Sequence, residues 1–265
     1  MLVESRRVVL GLAAVAALAI AVGGCGKSAQ KEKSVAQAAK TSTAKRCVVV
    51  WSEGTAPKSV YPNDINTAVA EGLKDLKGWE VVTANLSDPE QGLPDDLLKR
   101  ADVLIWWGHQ KHGDVKDELV AKIVRRVKED GMGFISLHSS HFAKPNKALM
   151  GTACSWGAYV GDSKTLTVKV TDPKHPIAEG VTDFTIMHNE RYSDPYAVPK
   201  PAAVVFTGTA VLAGGGADVS QQGLTWEVGK GKMFYFQPGH ETNPVFMDEN
   251  IRRIMINAVK WAAPK

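Results

Sequence analysis

Residues 46–51 read RCVVVW, an arginine followed by a short apolar run with three consecutive valines. A continuous apolar run of this length is typical of a strand that is covered on both faces. Two later stretches repeat the pattern, residues 101–107 (ADVLIWW) and residues 133–137 (GFISL). Strands of this kind occur mainly in parallel sheets whose two faces are covered by helices. We therefore predict that residues 46–51 form the first central strand of an α/β domain.

Helical patterns separate these strands. Asn63 or Asp64 can cap a helix that runs to about Leu76, and Gly78 ends it. Residues 79–83 then supply a further strand. The order strand, helix, strand implies parallel pairing with a right-handed crossover.

A second helix is predicted between residues 101–107 and residues 133–137. Asp114 can cap it, apolar residues recur every four positions along one face, and Gly131 stops it. The apolar residues are Val115, Leu119, Ile123 and Val127. Together these patterns predict a flavodoxin-like, doubly wound and mostly parallel sheet with helices on both faces.

The pattern becomes less regular after Pro145. Strand candidates lie at residues 166–170, 184–187, 203–207, 223–228 and 233–237. We expect several of them to be extra antiparallel strands at one edge of the sheet. A last helix, residues 250–262, carries apolar residues at spacings of three and four and should pack against the sheet. Residues 46–265 are therefore predicted to form one α/β domain.

The N-terminal 25 residues indicate an export signal. Two arginines precede an apolar stretch, residues 8–22, which is short and interrupted by glycine for a membrane span. The arginines also resemble those of a twin-arginine signal. Residues 22–25 (VGGC) resemble a bacterial lipobox, in which cleavage before Cys25 leaves a cysteine for lipidation. We expect a lipoprotein that is exported and anchored to a cell-envelope membrane, facing the periplasm or the exterior. An ordinary signal peptide or a signal anchor is the alternative.

Amino-acid composition and net charge indicate the nature of the remaining N-terminal segment and limit the classes of partner. Residues 26–45 lack bulky apolar side chains and are predicted to be a flexible tether. The net charge is only +4, from 32 basic and 28 acidic residues, which gives no electrostatic case for a nucleic-acid partner. Cys47 and Cys154 are predicted to be free, packed thiols. A homo-oligomer is compatible with the sequence.

Histidines cluster where the predicted strands end. In a doubly wound sheet, ligands collect beyond the carboxyl ends of the strands. The segments that follow these ends are residues 52–54 (SEG), 108–112 (GHQKH), 138–141 (HSSH) and 238–241 (PGHE). Histidines and carboxylates from separate loops should therefore meet at one rim of the sheet.

Several longer runs make a family resemblance specific. They are residues 106–109 (WWGH), 137–142 (LHSSHF), 149–152 (LMGT), 175–180 (HPIAEG) and 231–241 (GKMFYFQPGHE). In this order they resemble the ThuA-like (trehalose utilisation) family over roughly residues 46–264. The resemblance implies the class I glutamine amidotransferase-like fold. It also implies a role in the catabolism of trehalose or related sugars.

The resemblance also indicates which chemistry is absent. In the superfamily a cysteine nucleophile sits on a turn after a strand, and a histidine and a glutamate follow a later strand. His138 stands in the place of the cysteine, while His240 and Glu241 resemble its partners. Without a thiolate, glutamine hydrolysis through a thioester has no first step, so the chain is not expected to be a glutamine amidotransferase. Ser139 is an alternative nucleophile, although no G-x-S-x-G elbow surrounds it.

A metal-assisted site is the other chemistry that these residues suggest. Neutral imidazoles beside a carboxylate suit zinc or another divalent transition metal. The candidate ligands are His109, His138, His141 and His240, with Glu241 or Glu53 as an acid/base or a further ligand. Ligand nitrogens within about 4–5 Å of one another would favour a metal centre. No nucleotide cofactor is predicted, because Gly214–Gly216 lacks the strand-to-helix context of a phosphate loop.

The sequence is compatible with two functions. The first is an enzyme, of isomerase or hydrolase type, that acts on trehalose or a keto-sugar by proton transfer beside a polarised carbonyl. In it, His138 meets substrate or metal, His240 is a ligand or acid/base, and Glu241 orients His240. The second is a non-catalytic lipoprotein that binds a sugar or a partner. Under either function, Glu53, Trp107 and His188 are predicted to contact a bound carbohydrate.

Overall fold

The computed structural model of the protein describes residues 45–212 and 214–265. The predicted signal peptide, the lipobox with Cys25, and all of the tether except Lys45 lie outside these residues. The strands are β1 (Arg46–Ser52), β2 (Trp79–Asn85), β3 (Val103–Trp107), β4 (Gly133–Leu137), β5 (Trp156–Val170), β6 (Phe184–Tyr196), β7 (Ala203–Leu212), β8 (Ala217–Val228) and β9 (Gly231–Phe236). The α-helices are α1 (Asp64–Gly72), α2 (Asp95–Arg100), α3 (Asp117–Asp130), α4 (Lys144–Met150) and α5 (Glu249–Ala262).

The nine strands form one sheet in the order β2-β1-β3-β4-β9-β8-β7-β5-β6. The first five strands of this order pair in parallel. Their arrangement is the flavodoxin-like order, with β9 as the fifth strand. The other four strands are antiparallel and extend the sheet beyond β9. The predicted fold class, including the extra antiparallel strands, is confirmed.

Helices cover both faces of the parallel half. Apolar side chains of α1 and α5 pack on one face with Val48, Ile105 and Ile135. Those of α2, α3 and α4 pack on the other face with Val49 and Leu104. Neighbouring strand residues thus point to opposite cores, which explains why these strands have no polar face in the sequence.

Some predicted boundaries differ from the structure. The helix α3 begins at Asp117, with Asp114 in a short 3₁₀ turn before it, and it ends at the predicted Gly131, whose φ is +83°. The helix α1 ends at Gly72, four residues before the expected end. The strand β5 begins at Trp156, ten residues before the predicted start. The sequence does not predict the first half of β5, because the glycines and polar residues there break any apolar alternation.

Both described cysteines, Cys47 and Cys154, are buried and free, as expected. Among the described residues, no helix is long and apolar enough to cross a membrane.

Gly133, the first residue of β4, allows the end of α5 to lie directly on the sheet. A Cβ at this position would be 2.6 Å from the carbonyl oxygen of Ala262 and 2.8 Å from its Cβ. We expect Gly133→Ala to lower the free energy of unfolding by roughly 1–3 kcal/mol, because α5 must move outward. Urea unfolding measures the change. Gly113→Ala is the control, since nothing lies within 4 Å of its added Cβ, and it should change stability by less than about 0.5 kcal/mol. Equal effects of both changes would contradict this packing.

Candidate functional site

Four side chains from four segments converge at the carboxyl edge of the parallel strands. His109 follows β3, His138 follows β4, His240 follows β9, and Glu190 lies within β6. One nitrogen or oxygen atom of each lies within 4.8 Å of the corresponding atom of every other. We call these four residues the His3Glu group. Ligand atoms this close to one another are the spacing expected of a metal centre.

His138 forms the turn that aims its ring into the group. Its φ is +52°, a left-handed conformation that non-glycine residues seldom adopt. The ring is fully buried, and Nδ1 lies 2.9 Å from the carbonyl oxygen of Gln237. A carbonyl can only accept, so Nδ1 carries the proton and Nε2 keeps its lone pair. That Nε2 is 3.3 Å from Glu190 Oε1 and makes no hydrogen bond. A buried lone pair without a donor suits a metal ion.

His109 is oriented by a carboxylate. Its Nδ1 lies 2.8 Å from both carboxyl oxygens of Glu241, so it donates to them and leaves Nε2 for the group. This carboxylate–histidine pair is the usual support of a metal-bound imidazole. Burial lowers the pKa of His109, but the hydrogen bond and charge of Glu241 outweigh burial and raise it. The same hydrogen bond holds the pKa of Glu241 at about 2, although burial acts to raise it.

Glu53 fixes the loop that carries His109. Its two carboxyl oxygens accept the backbone N–H groups of Gln110 at 2.6 Å and Lys111 at 2.9 Å. The side chain is 2% exposed. Glu53 therefore positions His109 from beneath the loop, instead of contacting a bound sugar as predicted.

His240 approaches the group from the other side. Its Nε2 lies 2.9 Å from Glu190 Oε2. Its Nδ1 faces the backbone N–H of Thr242 at 3.2 Å and the Thr242 hydroxyl at 2.8 Å. Because the backbone N–H can only donate, Nδ1 accepts in this arrangement and Nε2–H donates to Glu190. A metal on Nε2 would require the proton to move to Nδ1, where the Thr242 hydroxyl can accept it.

Glu190 connects the members of the group. Glu190 contacts His138 and His240 and also accepts hydrogen bonds from two tyrosine hydroxyls. Its Oε1 accepts from Tyr192 at 2.8 Å, and its Oε2 accepts from Tyr159 at 3.1 Å. Burial alone would raise the pKa of Glu190. The contacts with His138 and His240 outweigh burial and hold the pKa of Glu190 far below its usual range. The sequence does not predict Glu190 as a site residue, because Glu190 lies within a strand of the antiparallel half. His188, two residues earlier, is predicted instead.

The remaining predicted site residues lie elsewhere. His141 is buried behind His138: its Nδ1 is 3.1 Å from the His138 carbonyl, burial lowers its pKa to about 3, and it is not a member of the His3Glu group. Trp107 is also buried, and its indole nitrogen donates to the Gly239 carbonyl at 2.9 Å. It therefore holds the loop before His240 instead of lying open to substrate. His188 is solvent-exposed on β6 and outside the group.

The predicted pairing of Glu241 and the nucleophile role of Ser139 also need correction. Glu241 orients His109, while its distance to His240 Nδ1 is 3.7 Å. The partner of His240 is Glu190. The Ser139 hydroxyl lies 2.9 Å from the Tyr192 hydroxyl, and among the described hydrogen bonds it has none to His240. An amidase arrangement of Ser139 and His240 is therefore not formed.

An open cavity of about 490 Å³ lies beside the group. Its volume is within the usual range of small-molecule sites. It is lined by His109, Glu190, Ser139, Tyr192, Tyr159, Phe142, Trp156, Ser155, Gly157 and Ala158. Two members of the His3Glu group thus face a space that a small molecule can enter.

Comparisons with known proteins agree with this fold. The family model ThuA, described as trehalose utilisation, matches residues 47–262. Similar solved structures include a protein from Bacteroides uniformis described as ThuA-like, with 17% identity, coverage of 82% of this chain and 91% of that chain, and a TM-score of 0.59. A second ThuA-like protein, from Parabacteroides merdae, has 12% identity, coverage of 82% and 88%, and a TM-score of 0.59.

A glutamine amidotransferase from Thermotoga maritima is also similar, with 12% identity, coverage of 82% and 96%, and a TM-score of 0.52. At these identities the structural matches show the fold alone. The comparison with curated proteins found no significant match.

The His109–Glu241 pair should make stability depend on pH. The lowered pKa of Glu241 stabilises the fold above pH 4.5, and this contribution is lost as the pH falls toward 2. The raised pKa of His109 stabilises it below pH 6.5, and this contribution is lost as the pH rises through the raised value. In metal-free protein, we expect Glu241→Gln to be most destabilising between pH 4.5 and 6.5.

Urea unfolding of the wild type and Glu241→Gln across this pH range measures the difference. Glu71→Gln, which changes an exposed carboxylate on α1, is the control and should give a difference that varies little with pH. A constant cost of Glu241→Gln from pH 3 to 9 would be incompatible with the ion pair.

Proposed function

Since the chain belongs to the ThuA family of trehalose utilisation, we propose that it is a metal-dependent enzyme of carbohydrate catabolism. The His3Glu group holds the ion, which is zinc or another divalent transition metal. The substrate class, trehalose or a keto-sugar, is taken from the description of the family. The reaction type is an isomerisation or a hydrolysis that begins with a polarised carbonyl or hydroxyl oxygen.

The observation that carries the proposal is the buried His138 Nε2, which has a lone pair and no hydrogen-bond donor. It faces a carboxylate 3.3 Å away, and a carboxylate is also an acceptor. Two acceptors in a buried site repel each other unless a cation or a proton lies between them. Three imidazoles with one carboxylate form a mixed nitrogen and oxygen set that suits zinc, iron, manganese and related ions.

The bound ion would supply Lewis acidity toward an oxygen of the substrate. The residues of the chain do the rest. Glu241 keeps the His109 ring in place, Gln237 fixes the tautomer of His138, and Glu53 keeps the His109 loop closed. His138 occupies the turn at which an amidotransferase of this fold would carry its cysteine. This position therefore offers a ligand or base instead of a nucleophile.

A non-catalytic sugar-binding or partner-binding protein is the second candidate. One observation favours it: Tyr159 and Phe142 line the cavity and are 63% and 39% exposed. Exposed aromatic rings are common on binding surfaces. The convergence of the His3Glu group favours the metal-dependent enzyme, because recognition alone does not need four ligand atoms within 4.8 Å.

The proposal places this domain at the cell envelope. Residues 22–25 (VGGC) support lipidation of Cys25, and residues 26–45 supply a polar spacer between the anchor and the domain. The domain would then face the periplasm or the exterior and meet its carbohydrate there. The anchor itself would be the contact with the membrane.

Elemental analysis of the full chain, purified without chelator and incubated with Zn²⁺, tests the metal site. We expect about one equivalent of bound metal, and a double variant with His109→Ala and His240→Ala should lose it, since two ligands disappear. His188→Asn is the matched control because it removes an exposed histidine outside the group, and asparagine tolerates the φ of +51° at this position. Metal-free wild type after incubation with zinc would refute the proposal.

Glu241→Gln separates orientation from ligation. Glu241 is outside the His3Glu group and acts through His109, so its loss should weaken zinc binding by about 10- to 100-fold without abolishing it. Glu190→Gln removes a ligand and should weaken binding more than that. Competition with a chromophoric chelator measures both affinities. An effect of Glu241→Gln equal to or larger than that of Glu190→Gln would contradict the assigned roles.

A further inference from the structure

We propose that the cavity beside the His3Glu group binds a sugar ring. In this arrangement Phe142 and Tyr159 contact the C–H surface of the ring, and Ser139 accepts a hydrogen bond from one of its hydroxyls. The inference rests on the proposed function for the choice of carbohydrate, and it adds the residues that recognise the ring.

The direction of a hydrogen-bond chain determines what Ser139 offers to a ligand. The ionised carboxylate of Glu190 can only accept, so the Tyr192 hydroxyl, 2.8 Å away, donates its single proton to Glu190. The Ser139 hydroxyl is 2.9 Å from the same Tyr192 oxygen and must therefore donate to it. Its one proton is then engaged, and its free lone pairs are acceptors. Ser139 lines the cavity, so it selects a ligand that carries a donor such as a hydroxyl.

Aromatic surface lies around this acceptor. Phe142 ends the 3₁₀ turn that begins at His138, and Tyr159 lies near the start of β5. Both line the cavity and remain exposed. Gly157 and Ala158, which also line the cavity, contribute little side-chain volume. A Cβ at Gly157 would be 2.5 Å from the Asp194 carbonyl, so only glycine allows β5 to lie this close to β6.

This combination matches the chemistry of a sugar ring. A pyranose has a face of C–H bonds, which packs on an aromatic ring, and an edge of hydroxyls, which donate hydrogen bonds. A purely apolar ligand would leave the Ser139 acceptor without a partner. A ring seated here would also reach His109 and Glu190, the two members of the His3Glu group that face the cavity.

Isothermal titration of the full chain, with and without bound zinc, tests the inference with trehalose, D-glucose and D-fructose as probes. We expect at least one probe to bind. Phe142→Leu and Tyr159→Leu keep apolar volume but remove the aromatic face. Each should weaken the affinity for that sugar by about tenfold. Tyr159→Phe, which keeps the ring but removes the hydroxyl that donates to Glu190, should weaken binding less than Tyr159→Leu does. Ser139→Ala should weaken binding by about tenfold because a substrate hydroxyl loses its acceptor.

Val211→Ala is the control, since Val211 is 44% exposed on β7 and is not one of the cavity residues. Zinc content is measured for every variant. Failure of all three probes to bind, or equal binding by wild type, Ser139→Ala, Phe142→Leu and Tyr159→Leu, overturns the inference. If zinc is still bound in either case, the metal site stands without the sugar subsite. If a sugar binds as described to a protein that takes up no zinc, the subsite stands and the metal proposal fails.

Discussion

The site depends on one buried carboxylate, Glu190, which is 4% exposed and is held between His138 and His240. A buried carboxylate is costly unless donors or a cation surround it. Here the hydroxyls of Tyr159 and Tyr192 and the imidazole of His240 provide the donors. The neutral Nε2 of His138 provides none. Glu190 therefore receives hydrogen bonds from the surrounding protein but none from His138. A metal ion between Glu190 and His138 Nε2 would supply the missing positive charge.

The antiparallel half of the sheet supplies this carboxylate. The three histidines come from the ends of parallel strands, where the fold places ligand-binding loops. Glu190 comes from β6, the last strand in the sheet order. Gln237, directly after β9, links the two halves, because its side chain hydrogen-bonds the backbone of Tyr192 on β6 and its carbonyl accepts from His138. Folding of the added strands thus determines whether the histidines acquire their fourth partner.

Much of the parallel half could be predicted from the sequence, since a strand buried on both faces is a continuous apolar run. His109, His138 and His240 could be predicted as neighbours because each follows such a strand. The start of β5 and the role of Glu190 could not, because an irregular antiparallel strand gives no signal for where a single side chain will point. His141 misled the prediction because it follows His138 by one 3₁₀ turn, which turns its Nδ1 back to the backbone. Trp107 and Glu53 have the residue types of a binding site, but their hydrogen bonds go to loop backbone.

X-ray absorption spectroscopy of the zinc-loaded full chain tests the central claim most directly, because it reports which atoms surround the ion. The account predicts nitrogen and oxygen ligands at about 2.0–2.1 Å, with outer scattering from about three imidazoles. Scattering from sulfur at about 2.3 Å would place the metal on a cysteine and contradict the account. So would a spectrum that does not change when His138 is replaced by alanine.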